Sequence, residues 1–291
     1  MSDGADGAPR IDLPAPGALL AAHGLRAKRG WGQNFLRDRS VLRRIAECAA
    51  PQPGHLVVEL GAGLGHLTAE LVRRGSQVVA VERDRDLVPI LERVFGDAPS
   101  VQVLAADAKR IDLHALARGA GRVVVAGNLP YNISTPILFH LLESHDVIAR
   151  IVTMVQREVA ERIVAVPGGK AYGVLAVRFG LHFEARRVFD VEARAFLPPP
   201  KVVSTVVELR ARSHPLADPG DEVVYARVVK AAFGQRRKTI ANALRAGRFL
   251  SQPALLDALE AAGIDPSARA ETIPIEAFAA LSRVLAHTTD P

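Results

Sequence analysis

The stretch VVELGAGLGH, residues 57–66, decides the fold of this 291-residue chain. Mostly apolar residues lead into glycines at positions 61, 63 and 65, and a helical pattern begins at His66. Glycine tolerates positive φ and lets the backbone approach a ligand closely. The following helix would point the positive end of its dipole at the same place. The stretch therefore predicts a strand, a tight turn beside a ligand and a helix.

Strand-like and helix-like segments alternate around this stretch. Runs of Val, Leu and Ala without polar alternation indicate strands covered on both faces, as in parallel sheets. Such strands are predicted at residues 55–60, 77–81, 101–105, 122–126 and 151–155, and residues 202–209 alternate like a final strand. Helical spacing is found between them at residues 66–74, 87–95, 135–142 and 158–164. The alternation predicts an α/β fold with a doubly wound, mostly parallel sheet.

The two ends of the chain differ in texture from this alternating part. Residues 1–24 are rich in Ala, Gly, Pro and Asp without a sustained period, which predicts a flexible leader. A linker-like stretch begins at residue 213, and helical patterns follow at residues 223–233, 239–246, 253–262 and 275–285. We therefore predict an α/β domain over residues 25–212 and a small, all-α domain over residues 213–291.

Two acidic residues follow the glycine loop at the ends of the next two strands. Glu82 comes 21 residues after Gly61, where a carboxylate can accept hydrogen bonds from ribose hydroxyls, and Asp107 could meet an adenine amine. The dinucleotide fingerprint G-x-G-x-x-G would place its third glycine where His66 stands. S-adenosylmethionine has no pyrophosphate, so the shorter G-x-G-x-G suffices for it. His66 therefore disfavours a nicotinamide dinucleotide without excluding it, and an adenosine-containing cofactor is predicted.

The segment Asn128-Leu129-Pro130-Tyr131 directly follows the fourth predicted strand. Adenine's exocyclic amine is a poor nucleophile because its lone pair is delocalised into the ring. The Asn128 side-chain oxygen and the Pro130 carbonyl could accept its hydrogens, and Tyr131 could stack on the base. Methyl transfer would then need mainly positioning of the two reactants. The alternative interpretation is an ordinary Asn-x-Pro turn.

Phe196 begins the rigid stretch FLPPPKV, residues 196–202. We hypothesise that its ring forms the opposite wall of the base pocket. A phenylalanine of the core is the other interpretation.

Composition excludes several classes of protein. Hydrophobic residues make up 49% of the chain, and Cys48 is its single cysteine, so a disulfide scaffold is excluded. No metal site is predicted, because His140 and His145 have no evident third ligand. No apolar stretch is long enough for a bilayer span, and no secretory signal is evident. These features predict a soluble, cytoplasmic protein.

Basic residues are concentrated in residues 221–250. The formal net charge of the chain is +6, and this segment has only two acidic residues against seven basic ones, Arg227, Lys230, Arg236, Arg237, Lys238, Arg245 and Arg248. A concentrated basic face is typical of proteins that bind a polyanion such as nucleic acid. A solvated helix face is the alternative.

Taken together, these motifs resemble the KsgA (RsmA) family of bacterial 16S rRNA adenine dimethyltransferases. The likeness extends from residue 28 to residue 285, and the segments that carry it include GQNFL (32–36), the glycine loop, VERD (81–84), NLPYNIS (128–134), QREV (156–159), KAYG (170–173) and FGQRRKT (233–239).

The resemblance implies a Rossmann-like fold that binds S-adenosyl-L-methionine without a metal, through Asn34, Leu36, Gly61, Glu82, Asp107 and Asn128. Gly63, in the same loop as Gly61, completes the predicted cofactor site. The resemblance also implies successive methylation of two adjacent adenosines in a small-subunit rRNA hairpin, on a ribosomal precursor particle. Asn128, Pro130 and Tyr131 are then the predicted catalytic residues, while Tyr131, Phe196, Arg236, Arg237 and Lys238 are the predicted RNA contacts.

Three alternatives remain. The glycine loop is also similar to that of the Erm enzymes, which methylate one adenine of large-subunit rRNA. A ribosome-assembly factor would depend more on binding than on catalysis. A DNA or protein amide methyltransferase is disfavoured by Leu129, where such loops usually have proline, and by the basic tail. We expect a monomer.

Overall fold

The computed structural model describes residues 11–50, 52, 54–247 and 251–288. They divide into two compact units. The first comprises the described residues up to Ala160 together with Arg186–Arg210, and the second comprises Glu161–Ala185 and the described residues from Ala211 onward. Among the residues that the structure describes, no helix is both long and apolar enough to span a membrane.

A mixed, mostly parallel sheet of seven strands forms the centre of the α/β part, which confirms the predicted fold class. Its strands are β2 (Leu56–Leu60), β3 (Gln77–Glu82), β4 (Val101–Ala105), β5 (Val123–Asn128), β6 (Ile148–Gln156), β7 (Phe183–Val191) and β9 (Ser204–Ala211). The strand order is β4-β3-β2-β5-β6-β9-β7. Strands β2 to β6 pair in parallel, whereas β9 runs antiparallel to β6.

Strand β7 is an edge strand that the sequence analysis did not predict. Four of its nine residues are charged, among them Glu184, Arg186 and Arg187, which are exposed. An edge strand has only one neighbour and needs no continuous apolar run, so hydrophobicity alone does not reveal it.

Helices and a second, two-stranded sheet complete the first unit. Strand β1 (Phe35–Leu36) pairs antiparallel with β8 (Phe196–Leu197). The helices are α1 (Pro16–Ala22), α2 (Arg39–Ala49), α3 (His66–Arg73), α4 (Val88–Phe95), α5 (Leu113–Ala117), α6 (Ser134–Glu143) and α7 (Arg157–Ile163), the last of which continues into the second unit. Asp38 caps α2 by accepting hydrogen bonds from the backbone of Ser40 and Val41.

The prediction of a flexible leader over residues 1–24 was wrong for its second half. Residues 1–10 lie outside the described residues, but Pro16 begins helix α1, where its fixed φ suits the first turn. Leu19 and Leu20 are buried in an apolar cluster with Phe35 and Leu91. Two leucines in seven residues give too little periodicity to predict a helix. The helix is stabilised instead by the burial of these leucines against distant parts of the chain.

The second unit is helical and larger than predicted. Its helices are α8 (Val174–His182), α9 (Glu222–Gly234), α10 (Ile240–Ala246), α11 (Gln252–Ala261) and α12 (Ile275–Thr288). The last four coincide with the predicted helices. The predicted boundary at residue 212 differs from the observed division, because residues 161–185 join this unit. Tyr172 and Val177 pack in its core, and the Tyr172 hydroxyl donates a hydrogen bond to the Ile273 carbonyl at 3.0 Å.

Candidate functional site

A cavity lies at the carboxyl edge of the parallel strands in the first unit. Strands β2, β3 and β5 all end there, so residues that follow them in the sequence meet at one place. The lining includes the predicted cofactor and catalytic residues Asn34, Leu36, Gly61, Gly63, Glu82, Asp107, Asn128, Pro130 and Tyr131. The structure thus brings these nine residues together.

The glycine loop closes one side of the cavity in a conformation that favours glycine. Gly63 has φ +59°, and a Cβ there would lie 3.3 Å from the Phe35 ring. Gly65 has φ +82° and packs against Phe95 of α4, which leaves no room for a side chain. The loop therefore exposes its backbone to the cavity at Gly63. Gly65 instead lets the loop pack closely against helix α4.

Glu82 is held by three backbone donors at the end of β3. Its carboxylate accepts hydrogen bonds from the N–H groups of Gly63 at 2.8 Å and of Arg83 and Asp84 at 2.7 Å each. Burial raises the pKa of Glu82, and these donors oppose the shift by favouring the charged form. The side chain is therefore fixed as a hydrogen-bond acceptor facing the cavity.

Glu59 lies in the same cavity, although it was not among the predicted site residues. It is 2% exposed, and the Thr68 hydroxyl donates a hydrogen bond to it at 2.5 Å. Burial raises the pKa of Glu59 to about 8, although the Thr68 bond opposes the shift. Burial therefore favours the protonated form of this carboxyl group near pH 7. The sequence did contain a signal for this site residue, because Glu59 is the single charged residue in an otherwise apolar strand.

Asp107 and Trp31 line the cavity near Arg83. Burial alone would raise the pKa of Asp107. Hydrogen bonds from the Lys109 backbone N–H at 3.0 Å and from Arg83 at 3.3 Å have a larger effect and hold this pKa below its usual range. The Arg83 guanidinium also lies 4.6 Å from the centre of the Trp31 ring, and the Lys28 ammonium lies 4.9 Å from it. Trp31 was missed because nothing in its local sequence marks an exposed aromatic ring as a cavity wall.

Asn128 is oriented by a backbone partner. Its amide nitrogen donates to the carbonyl of Asn34 at 2.9 Å. A carbonyl can only accept, so the Asn128 NH₂ must face it and the side-chain oxygen is directed away from it. The Pro130 carbonyl accepts one hydrogen bond, from the Ile133 N–H at 3.1 Å, and its second lone pair can take another.

Tyr131 lines the cavity beside these acceptors. It is half-buried, and its hydroxyl lies 2.5 Å from the hydroxyl of Ser204, the first residue of β9. Burial raises the pKa of Tyr131, with a smaller opposing effect of Ser204, so the phenol is neutral near pH 7. The sequence analysis missed Ser204.

Phe196 does not line the cavity. It is 2% exposed and belongs to a core cluster with Leu36, its partner in the β1–β8 pair. The hypothesis that it forms a pocket wall does not agree with this burial, whereas the alternative of a core phenylalanine does. Its ring supports Leu36, which does reach the cavity.

The remaining predicted RNA contacts lie in the second unit. Arg236, Arg237 and Lys238 are exposed in the loop between α9 and α10. The Arg236 guanidinium donates to the Lys170 carbonyl at 2.8 Å, which orders the side chain without neutralising its charge. Arg227, Lys230 and Arg245 are also exposed, whereas Arg248 lies outside the described residues.

Comparison with known proteins gives consistent matches along the chain. The family described as ribosomal RNA adenine dimethylase matches residues 24–287. The "Ribosomal RNA small subunit methyltransferase A" of Myxococcus xanthus is 47% identical over 278 residues, covering 95% of this chain and 97% of the relative. The protein of the same name from Anaeromyxobacter sp. (strain K) is 48% identical, covering 94% and 98%.

Two solved structures share the fold. The 23S rRNA methyltransferase ErmE has a TM-score of 0.64 and 30% identity, covering 87% of this chain and all of that one. A dimethyladenosine transferase from Plasmodium falciparum has a TM-score of 0.69 and 23% identity, covering 85% and 95%.

Proposed function

The chain belongs to the ribosomal RNA adenine dimethylase family, and from this premise we propose that it dimethylates adenosines of small-subunit rRNA. The donor is S-adenosyl-L-methionine, and the acceptors are the exocyclic amines of two adjacent adenosines in a 16S rRNA hairpin. The observation that carries the proposal is near-complete coverage by relatives at 47–48% identity that are named for the small subunit.

The cavity has the groups that the methyl donor requires. Its acceptors suit ribose hydroxyls at Glu82 and an adenine amine at Asp107. A side chain at Gly63 would crowd the Phe35 ring, which also lines the cavity, and Asn34, Leu36, Gly61 and Asn128 complete the proposed cofactor contacts. When bound, the donor supplies an electrophilic methyl group on a sulfonium sulfur. The proposed methyl transfer needs no metal ion.

The residues of the Asn128–Tyr131 turn would prepare the target amine. The Asn128 oxygen and the second lone pair of the Pro130 carbonyl accept the two amine hydrogens, which localises the nitrogen lone pair away from the ring. Tyr131 offers its face to the purine, a stacking contact worth about 1–3 kcal/mol. The protein acts by orientation and desolvation, because both reactants must be held in line for displacement.

The exposed cations of the second unit would bind the RNA backbone. Arg236, Arg237 and Lys238 can contact phosphates whatever the base sequence, so the choice of base is left to the cavity. The target adenosine must leave its stack to enter the cavity, as in other enzymes that act on bases. On this proposal the chain works as a monomer in the cytoplasm, where its substrate is assembled.

An Erm-type activity on large-subunit rRNA is the second candidate, favoured by the match to ErmE at 30% identity. The small-subunit relatives are more similar, at 47–48% identity, and we therefore rank this candidate second. The other candidate, an assembly factor whose binding matters more than its catalysis, would be compatible with the same RNA contacts.

Isotopically labelled S-adenosylmethionine distinguishes these functions. The protein is incubated separately with immature small subunits, small-subunit RNA, large-subunit RNA, DNA and unrelated protein. We expect label in small-subunit RNA, recovered as dimethyladenosine after nuclease digestion. Label confined to large-subunit RNA would favour the Erm-type activity. An assembly factor would still support subunit maturation when Asn128→Ala has removed the chemistry.

A further inference from the structure

We propose that Ser204 is a positioning residue that fixes the ring of Tyr131 as the platform for the target base. The inference rests on the proposed function, because it assigns Tyr131 to the adenine. It concerns a side chain that is fully buried and belongs to a different part of the chain from the Asn128–Tyr131 turn.

The contact joins two hydroxyl groups at the edge of the cavity. The Tyr131 and Ser204 oxygens are 2.5 Å apart, and the two residues are 73 positions apart in the sequence. Ser204 is 0% exposed, so water does not compete for its hydroxyl. Tyr131 lines the cavity and is half-buried, so one part of its ring remains accessible to a ligand.

Strand direction explains why Ser204 reaches this place. Strand β9 runs antiparallel to β6, with Ser204 opposite Gln156, the last residue of β6. The parallel strands β5 and β6 end at the carboxyl edge, so β9 must begin there. The first side chain of β9 therefore lies at the same sheet edge as the turn that follows β5.

The bond fixes the ring at the end farthest from the backbone. On the backbone side, the Tyr131 carbonyl accepts a hydrogen bond from the Ser134 hydroxyl at 3.3 Å, and the Ile133 N–H closes the turn on Pro130. A tyrosine side chain has two rotatable bonds, χ1 and χ2. When the backbone and the hydroxyl are both held by hydrogen bonds, rotation about these two bonds is restricted. A base that stacks on such a ring does not have to order it first, which is the advantage of preorganisation.

A double-mutant cycle tests whether Ser204 acts through the Tyr131 hydroxyl. The variants Ser204→Ala, Tyr131→Phe and their combination are compared for kcat, KM and cofactor affinity on the RNA that the wild type methylates. We expect each single change to lower kcat/KM by about three- to tenfold, the usual range for one lost hydrogen bond. The double variant should be no worse than Tyr131→Phe, with cofactor affinity unchanged.

Thr205→Ala is the matched control. Thr205 follows Ser204 in the same strand and is equally buried, but its hydroxyl donates to Asp190 at 2.7 Å. Loss of a buried hydroxyl should destabilise both proteins, and only Ser204→Ala should lose turnover. The proposal would be overturned if the losses of kcat/KM in the two single variants multiplied in the double variant. It would also be overturned if Thr205→Ala lost as much kcat/KM as Ser204→Ala.

A spectroscopic readout is independent of activity. The chain has three tyrosines, so labelling their ring Cζ carbons with ¹³C gives a resonance for Tyr131 that Tyr131→Phe identifies. Ser204→Ala should shift this resonance, while Thr205→Ala should leave it in place. An unmoved resonance refutes the contact itself. A shifted resonance in a protein that methylates no RNA refutes the proposed function and leaves the contact standing.

Discussion

The cavity of the first unit and the loop Gln235–Lys238 of the second unit hold their polar groups in opposite ways. In the cavity, Glu82, Asn128 and Tyr131 each have a partner within 3 Å that fixes their orientation. In the loop, Arg237 and Lys238 are exposed to solvent. Fixed geometry suits chemistry, which depends on tenths of an ångström. Exposed charge suits a polyanion, whose attraction is long-ranged and salt-dependent.

The comparison predicts that the largest effects on turnover come from the cavity. Asn128→Ala should lower kcat by roughly 10²–10³-fold, the scale for loss of one preorganised polar group at a reacting centre. Its cofactor affinity should be reduced but measurable. Single-turnover methylation of small-subunit RNA and a separate binding titration measure the two effects.

Asn132→Ala is the control for that change. Asn132 is exposed directly after the Asn128–Tyr131 turn and does not line the cavity, so the turnover of Asn132→Ala should stay near that of the wild type. Wild-type turnover in Asn128→Ala would refute the assigned role and remove the distinction between the two regions.

A pH-dependent effect of intermediate size is expected from Glu59. Burial raises the pKa of its carboxyl to about 8, so the ionised fraction rises about tenfold per pH unit at pH values well below 8. The methyl donor is a cation and should favour the ionised form. Its affinity should therefore increase from pH 6 to pH 8 and level off above. Calorimetric titration across this range measures the slope.

Glu59→Gln should lose this part of the pH dependence, and comparing the two proteins cancels any titration of the ligand. Glu70→Gln is the control, because Glu70 is also nearly buried but pairs with Arg73 outside the cavity lining. If Glu59→Gln keeps the slope of the wild type, Glu59 does not couple to the cation.

Substitutions in the loop Gln235–Lys238 are expected to have the smallest effect on turnover, because they change RNA binding and not the cavity. Arg236→Ala combined with Arg237→Ala should weaken binding to small subunits and reduce the slope of log K against log salt by about 1.5–2. Cofactor affinity should not change. Filter binding over a range of salt concentrations measures the slope.

Arg93→Ala combined with Arg118→Ala removes the same charge from exposed positions of the first unit, in α4 and directly after α5. This control should change the slope much less. An unchanged slope in the Arg236 and Arg237 variant would show that the loop is only a solvated surface.

Much of the cavity could be predicted because its signals are local. Apolar runs place the strands, and the residue after each parallel strand reaches the same edge, so Glu82, Asp107 and Asn128 were found from their positions alone. Charge density in the same way located the exposed loop. In each case the relevant neighbours are a few residues away in the sequence.

Predictions that depended on distant neighbours fared worse. Helix α1 has little periodicity and is held by burial against Phe35 and Leu91. Phe196 was assigned to a pocket wall, but its pairing with Leu36 places it in the core. Residues 161–185 join the helical unit because Tyr172 and Val177 pack there, and sequence order alone does not indicate that.

The amino-acid sequence by itself determined the alternating α/β fold, the glycine loop, the Asn128–Tyr131 turn and the basic loop, since periodicity and turn chemistry act over short stretches of chain. Only the tertiary structure decided that β9 enters the sheet antiparallel, that its first hydroxyl meets Tyr131, and that burial raises the pKa of Glu59. These features arise from packing between segments many residues apart, and such packing leaves no local pattern to recognise.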